Sequence, residues 1–276
     1  MPPSLRGYFA DLWAHRDFLL TVPLGELRAQ NQNSALGNAW HLLNPLLLAG
    51  VYYLVFGIIL QASRGVDYYP AFLIIGIMTY SFVGKVVQAG ARTVVSNLKL
   101  IQSIRFPRAS LPLAATISET IAHGPALLTM FGLVWLTSLA EADLPPIGPS
   151  WGWLLVFPAT ALMAIFGLGL ALITARATFH FRDVQQVLPY VLRIWMYLSG
   201  MFYPLSFVSE RAGDRTWMVW LFQANPLWQF FRIFREALIE GRATPWVWGA
   251  ATAWSVAVVV LGFLYFRANE AEYGRA

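Results

Sequence analysis

Cysteine is absent from the 276 residues, which excludes disulfides, thiolate metal centres, iron–sulfur clusters and cysteine nucleophiles. Charge is scarce: Asp, Glu, Lys and Arg make up 12% of the chain, and lysine occurs only at Lys85 and Lys99. Phosphate loops of the GxxxxGK[ST] type, HExxH helices and GxSxG elbows do not occur, and Gly84-Lys85 lacks the preceding glycine that would complete a phosphate loop. His15, His41, His123 and His180 are too scattered for a local metal-ligand spacing. The start, MPPSLRGYFADLWAHRDF, has no basic segment followed by a continuous apolar core, so it does not read as a cleavable signal peptide. No enzyme, no metal and no cofactor are expected in this chain.

Apolar side chains are what the sequence has in excess. They make up 58% of it, with a mean hydropathy of +0.56, which places the chain among integral membrane proteins. The net charge of +5 fits basic residues held beside membrane spans, and no nucleic-acid partner is expected. Six apolar stretches approach the ~20 helical residues that cross a bilayer core: residues 40–60, 70–91, 111–139, 151–175, 184–203 and 246–266. The links carrying Lys99 and Arg105, and Arg176 and Arg182, are basic, whereas the link with Glu141 and Asp143 is acidic. Both termini are therefore expected on the cytoplasmic side of a plasma membrane.

Two segments differ from plain spans. In residues 1–38, Leu5, Tyr8, Phe9, Leu12 and Trp13 recur at helical spacing, with Arg6, Asp11 and Arg16 elsewhere on the helix. This suits an amphipathic helix lying on membrane lipid, and equally one packed on protein. Residues 204–245 contain WMVWLFQANPLWQFFRIF, too apolar for a solvated loop and too short, with Asn225-Pro226 in its middle, for two spans. A re-entrant pair of half-helices accounts for both properties. The expected fold is thus an all-α polytopic membrane protein with six transmembrane helices, an interface helix and a re-entrant segment before the last span. Residues 39–276 form its transmembrane domain.

Ionisable residues inside spans are Lys85, Glu119, His123 and Arg193. Glu119 and His123 share a helix face, as a proton relay or a structural polar pair would; Lys85 and Arg193 are long enough to snorkel. On the fifth span Tyr190, Tyr197 and Met201 lie near one face with Ile194 between, and on the first Tyr52 and Phe56 stack similarly. Sugar rings have apolar faces and hydroxyl rims, so such a path lets a glycan slide. An interfacial aromatic belt with core packing fits the same residues.

Four stretches occur in a telling order: SALGNAWHLLNPLLLAGVYYLVFG, SNLKLIQSIRFPRASLPLA, FRDVQQVLPYVLRIWMYLSGMFYP and NPLWQFFRIFREAL. With them the chain resembles the membrane subunit of ABC-2-type exporters, and within these the O-antigen, teichoic-acid and cell-wall polysaccharide permeases. The resemblance implies a homodimer of this chain, joined by two copies of a separately encoded ABC ATPase that holds ATP and magnesium. It implies a lipid-linked glycan as substrate, passing Tyr52, Phe56, Tyr190, Tyr197 and Tyr203. It further implies an outer gate around Trp217, Trp220, Asn225, Pro226 and Trp228. Contact with the ATPase is implied for Asn97, Lys99, Arg105, Phe106, Pro107 and Arg108, with Arg182 and Asp183 in a second, smaller connection. Asp183 is expected to favour the helix start it precedes. Gly200-Met201 stands where the family usually has Ser/Thr-Pro, and RAQNQNS is less basic than the usual version. The Arg- and Ala-rich, Lys-poor composition suggests a GC-rich bacterium and a cell-wall galactan as cargo. A drug-efflux permease of the same architecture and a membrane enzyme using Glu119 and His123 are the competing expectations.

Overall fold

The computed structural model describes residues 5–14, 39–59, 66–103, 106–141, 143–270 and 273. The described residues are helical throughout their ordered elements, with no strand among them. In chain order these are α1 (Leu5–Ala14), α2 (Ala39–Tyr52), α3 (Tyr69–Ser96), α4 (Leu98–Ser103), α5 (Ser110–Leu139), α6 (Val156–His180), α7 (Val184–Leu198), α8 (Leu205–Ala212), α9 (Thr216–Ala224), α10 (Pro226–Arg235) and α11 (Pro245–Ala268). A π-helical segment, Tyr53–Ile59, extends α2, and another, Glu236–Glu240, extends α10; a 3₁₀ turn, Trp151–Leu155, leads into α6. Pro70, Pro226 and Pro245 stand in the first turns of α3, α10 and α11. There a missing N–H costs no helical hydrogen bond.

Helix α3 is the centre of the packing. Over its most apolar stretch 78% of residues are buried, because α5 and α6 cover it on two sides and α11 covers α6 in turn. A helix apolar on nearly every face needs such neighbours. The crossing of α6 and α11 is made by two glycines. A Cβ on Gly262 would lie 2.4 Å from the Gly169 carbonyl oxygen, and one on Gly169 would lie 2.5 Å from the Val258 backbone. Small residues let membrane helices approach backbone to backbone, where dispersion is the main attraction.

Among the described residues, four helical segments are long and apolar enough to cross a membrane: Tyr69–Ser96, Ser110–Leu139, Trp151–His180 and Pro245–Ala268. They contain the second, third, fourth and sixth expected stretches. The first stretch is α2 with its π extension. The fifth differs from the expected 184–203, since α7 stops at Leu198 after 15 residues, about 22 Å of helix. Gly200, at φ 67°, takes the left-handed conformation that ends it. Residues 204–245 contain three short helices where two half-helices were expected: α9 and α10 part at Asn225-Pro226, and α8 precedes them. Of the segment 1–38, α1 alone lies within the described residues.

Candidate functional site

The aromatic residues of α2, α7 and the turn after α7 converge on Phe202, which is fully buried. Phe56 stacks on it at 4.4 Å between ring centroids, Tyr197 at 5.4 Å, and Tyr52 meets it edge-on at 4.7 Å. Tyr203 donates from its hydroxyl to the Tyr197 carbonyl at 2.8 Å and stacks on Phe222. Four of the five expected path residues therefore form one cluster. Tyr190 stands apart from it on the exposed surface of α7. Tyr80, on α3, belongs to the same neighbourhood as Tyr52, Tyr197 and Arg193. Sequence reading missed Tyr80 because a single tyrosine in an apolar run carries no periodic signal.

The exposed surface of α7 divides into two adjacent stripes. Val187, Val191, Ile194 and Leu198 form an apolar one, and Gln186, Tyr190, Arg193 and Tyr197 a polar and aromatic one. On α3, otherwise largely enclosed, the accessible positions include Ser81, Lys85, Gln88 and Arg92, the same i, i+4, i+7, i+11 row. Polar rows within apolar helices mark surfaces facing protein or water. Beside Lys85, a small recess is lined by Phe82, Glu119, Ala122, His123 and Ala126. The His123 ring lies 4.6 Å from that of Phe82, and its Nε2 is buried without a hydrogen-bond partner among the described residues. Among the described residues no group of three or more His, Cys, Asp or Glu side chains is arranged to hold a metal ion.

The expected gate residues occupy two environments. Trp217 and Trp220 on α9 are exposed, at 62% and 72%. Trp228 on α10 is buried, stacked on Trp246 at 6.1 Å, with the Arg232 guanidinium 5.3 Å and 5.4 Å from the two rings. Asn225 joins the two short helices to α7. Its Oδ1 accepts from Leu227 N–H (3.1 Å) and from Trp195 Nε1 (3.0 Å), while Nδ2 donates to Ser199 Oγ (2.9 Å). Pro226 follows in the first turn of α10.

Below this, the turn after α7 is fastened from α10 by Arg235. This buried guanidinium donates to the carbonyl oxygens of Gly200 (3.1 Å), Met201 (2.7 Å) and Phe72 (3.4 Å), and it lies 3.3 Å over the Phe72 ring. Arg235 was not singled out by sequence, because its partners are backbone oxygens that no side-chain pattern announces. At the far end of α10, Glu236 accepts from Arg232 Nε (2.6 Å) and from both the N–H and hydroxyl of Thr244. That carboxylate fixes the approach to α11.

The opposite end of the molecule gathers the α4–α5 link with both terminal regions. Asn97 donates to the Thr93 carbonyl at 2.8 Å and closes α3; Lys99 is exposed; Pro107 is buried and Phe106 half-buried. Arg105 lies outside the described residues. Arg108 N–H donates to Glu270 Oε1 (2.8 Å), which also accepts from the Tyr8 hydroxyl (3.0 Å); Tyr8 Oη in turn accepts from Ala109 N–H (3.2 Å). Burial, reinforced by Glu270, pushes the Tyr8 phenol well above its usual range, so it stays a proton donor. Tyr8 is buried, so α1 packs on protein through this residue, while Trp13 is 71% exposed. Arg182 and Asp183 lie exposed between α6 and α7. The Asp183 carboxylate makes no capping hydrogen bond; its carbonyl oxygen accepts from Gln186 and Val187.

A profile of the ABC-2 type transporter family matches residues 21–239. The chain is 26% identical over 233 residues to the O-antigen export system permease protein RfbA of Myxococcus xanthus, covering 84% of each. It is 22% identical over 226 residues to the RfbA permease of Klebsiella pneumoniae, covering 82% of this chain and 81% of that one. To the polysialic acid transport protein KpsM of Escherichia coli it is 21% identical over 224 residues, covering 79% of this chain and 80% of that one. Long apolar helices around α3, an aromatic cluster at the end of α7 and a profile match running through most of the chain agree: this membrane protein belongs to the ABC-2 type transporter family.

Proposed function

We propose that this chain is the permease subunit of an ATP-driven exporter that moves a polyprenyl-diphosphate-linked polysaccharide across a bacterial plasma membrane, with a cell-wall galactan as its cargo. The observation that carries this reading is the Phe202-centred cluster beside the polar and aromatic stripe of α7. Tyrosine and phenylalanine faces offer a sugar chain many weak, sequence-tolerant contacts, while phenol hydroxyls exchange partners with its rim. A drug-efflux permease has no need of such a row. The export permeases among its relatives, named for O-antigen and polysialic acid, support the same choice of cargo class.

In this reading α2 with its extension and α7 complete a six-span domain, and α9 and α10 form the re-entrant pair. Two copies of the chain enclose the path, with Tyr190 and the exposed face of α7 turned into it. Trp217 and Trp220 form the face of the outer gate; Asn225, Pro226 and Trp228 hold that face on α10. Both termini are cytoplasmic. Two copies of a separate ATPase supply ATP and magnesium and press on the segment from Asn97 to Arg108, with Arg182 and Asp183 as a second contact. A rigid-body movement there is passed to α3 and α5.

Depletion of the chain in its host, followed by analysis of diphosphate-linked sugars on each membrane face, tests the reading. Accumulation of a long lipid-linked glycan on the cytoplasmic face is expected. No accumulation, with altered drug sensitivity instead, transfers the assignment to efflux.

A further inference from the structure

Arg193 has no place in the structural roles described above. It is exposed on α7, about 13 Å along the helix from Val184, and makes no hydrogen bond or ion pair with any described residue. Tyr80, which lies beside it from α3, is about 16 Å from Tyr69. The cation therefore lies within the body of α7, about 7 Å before its end at Leu198, and level with the middle of α3. Three phenols belong to this neighbourhood: Tyr197 follows one turn later on the same exposed stripe of α7 and packs with Tyr52 on Phe202, and the Arg193 charge is felt at both Tyr52 and Tyr80. No carboxylate acts on either tyrosine. Three of the buried or half-buried acids are engaged elsewhere: Glu236 with Arg232 and Thr244, Glu270 with Tyr8 and Arg108, Glu141 with the Tyr68 N–H. Lys85 differs from Arg193, since it shares its recess with Glu119.

A guanidinium at this depth requires water, a counter-charge or both. Its planar fork suits a phosphate oxyanion, and phenol hydroxyls are further donors to the same group. Neutral sugar rings need only the aromatic faces. A two-fold pair of chains would bring two such cations to one path, where repulsion between them is relieved by an anion.

We infer that Arg193, with Tyr52, Tyr80 and Tyr197, forms an oxyanion site inside the transport path that receives the diphosphate of the lipid-linked cargo. This rests on the export reading and assigns it a charged waypoint between the two ends of the membrane domain. The site makes the cargo's charge a condition of entry, so that a polyprenyl alcohol bearing no phosphate is discriminated against.

The test uses the full chain in phosphatidylcholine nanodiscs, with undecaprenyl diphosphate as the probe and undecaprenol as the uncharged control. Binding is read from tryptophan fluorescence, since Trp195 lies on the same helix. Saturable binding is expected, at least tenfold tighter than for undecaprenol, weakened at least tenfold by Arg193→Gln and partly retained by Arg193→Lys. An excess of phosphatidylglycerol is expected to leave the probe in place. Equal binding by wild type and Arg193→Gln overturns the inference, as does displacement by phosphatidylglycerol, which would make this a bilayer headgroup site. Failure here is separable from failure of the export reading. Glycan retained on depletion together with unchanged Arg193→Gln binding removes only the oxyanion site. Diphosphate binding that depends on Arg193, in a host that retains no glycan on depletion, leaves the site and removes export.

Discussion

Asn225 fixes the break between α9 and α10 by using one amide in three directions. Its carbonyl oxygen caps α10 at Leu227 and receives the Trp195 indole, and its NH₂ reaches Ser199 where α7 ends. Removing it leaves a helix N-terminus and an indole N–H without their partner. Asn225→Ala is expected to destabilise the protein by roughly 2–3 kcal/mol, the sum of a lost cap and an unsatisfied donor. Thermal unfolding in detergent reads this directly; an unchanged Tm contradicts it. Arg235 works on the same turn from the other side, holding Gly200 and Met201 by their carbonyl oxygens. Single polar side chains thus set the geometry of an apolar region, since each buried polar group there must find a defined partner.

At the scale of elements, the crossing of α6 and α11 leaves no room for side chains between Gly169 and Gly262. Gly262→Val is expected to force the helices apart, lowering Tm by several degrees and reducing the yield of monodisperse protein, whereas Gly249→Val, at a position with open space around it, is expected to leave both unchanged. Equal behaviour of the two variants contradicts the close-packed crossing. The long helices were legible in the sequence: α5 and α11 coincide within two residues with the apolar runs 111–139 and 246–266. Uninterrupted apolar composition leaves a helix there few alternatives. The end of α7 was not legible, because Ser199-Gly200 interrupts an aromatic run without any charge to announce it. Nor was the polar row of α3, since Ser81, Lys85, Gln88 and Arg92 become a surface only once α5 and α6 enclose the other faces. Of the candidate site, Tyr52, Phe56 and Tyr197 were legible from aromatic spacing and Tyr203 through the family resemblance, but the residue at their centre, Phe202, required the fold around Gly200.

Over the whole molecule, a residue of α1 and one just after α11 meet at the start of α5. Tyr8 lies near one terminus and Glu270 near the other, and the two share hydrogen bonds with the backbone of Arg108 and Ala109. These contacts span separations of 101 to 262 residues and carry no local sequence signature. In the proposed cycle, force applied to the Asn97–Arg108 segment therefore reaches the N-terminal helix and the last span as well as α3 and α5. Replacing Arg105 and Arg108 together by Glu reverses the charge of that segment. Normal membrane insertion with at least a tenfold loss of co-purifying ATPase is expected. Undiminished co-purification contradicts docking at this segment.

Export of a lipid-linked polysaccharide by this chain, as proposed, is read from transport in a closed system. The measurement is ATP-dependent appearance of a labelled, diphosphate-linked glycan on the opposite face of proteoliposomes holding the chain and its ATPase. Transfer that requires ATP and falls severalfold with Tyr197→Ala, at unchanged ATPase association, is the predicted result; no transfer by the wild type, or equal transfer by the variant, contradicts the account.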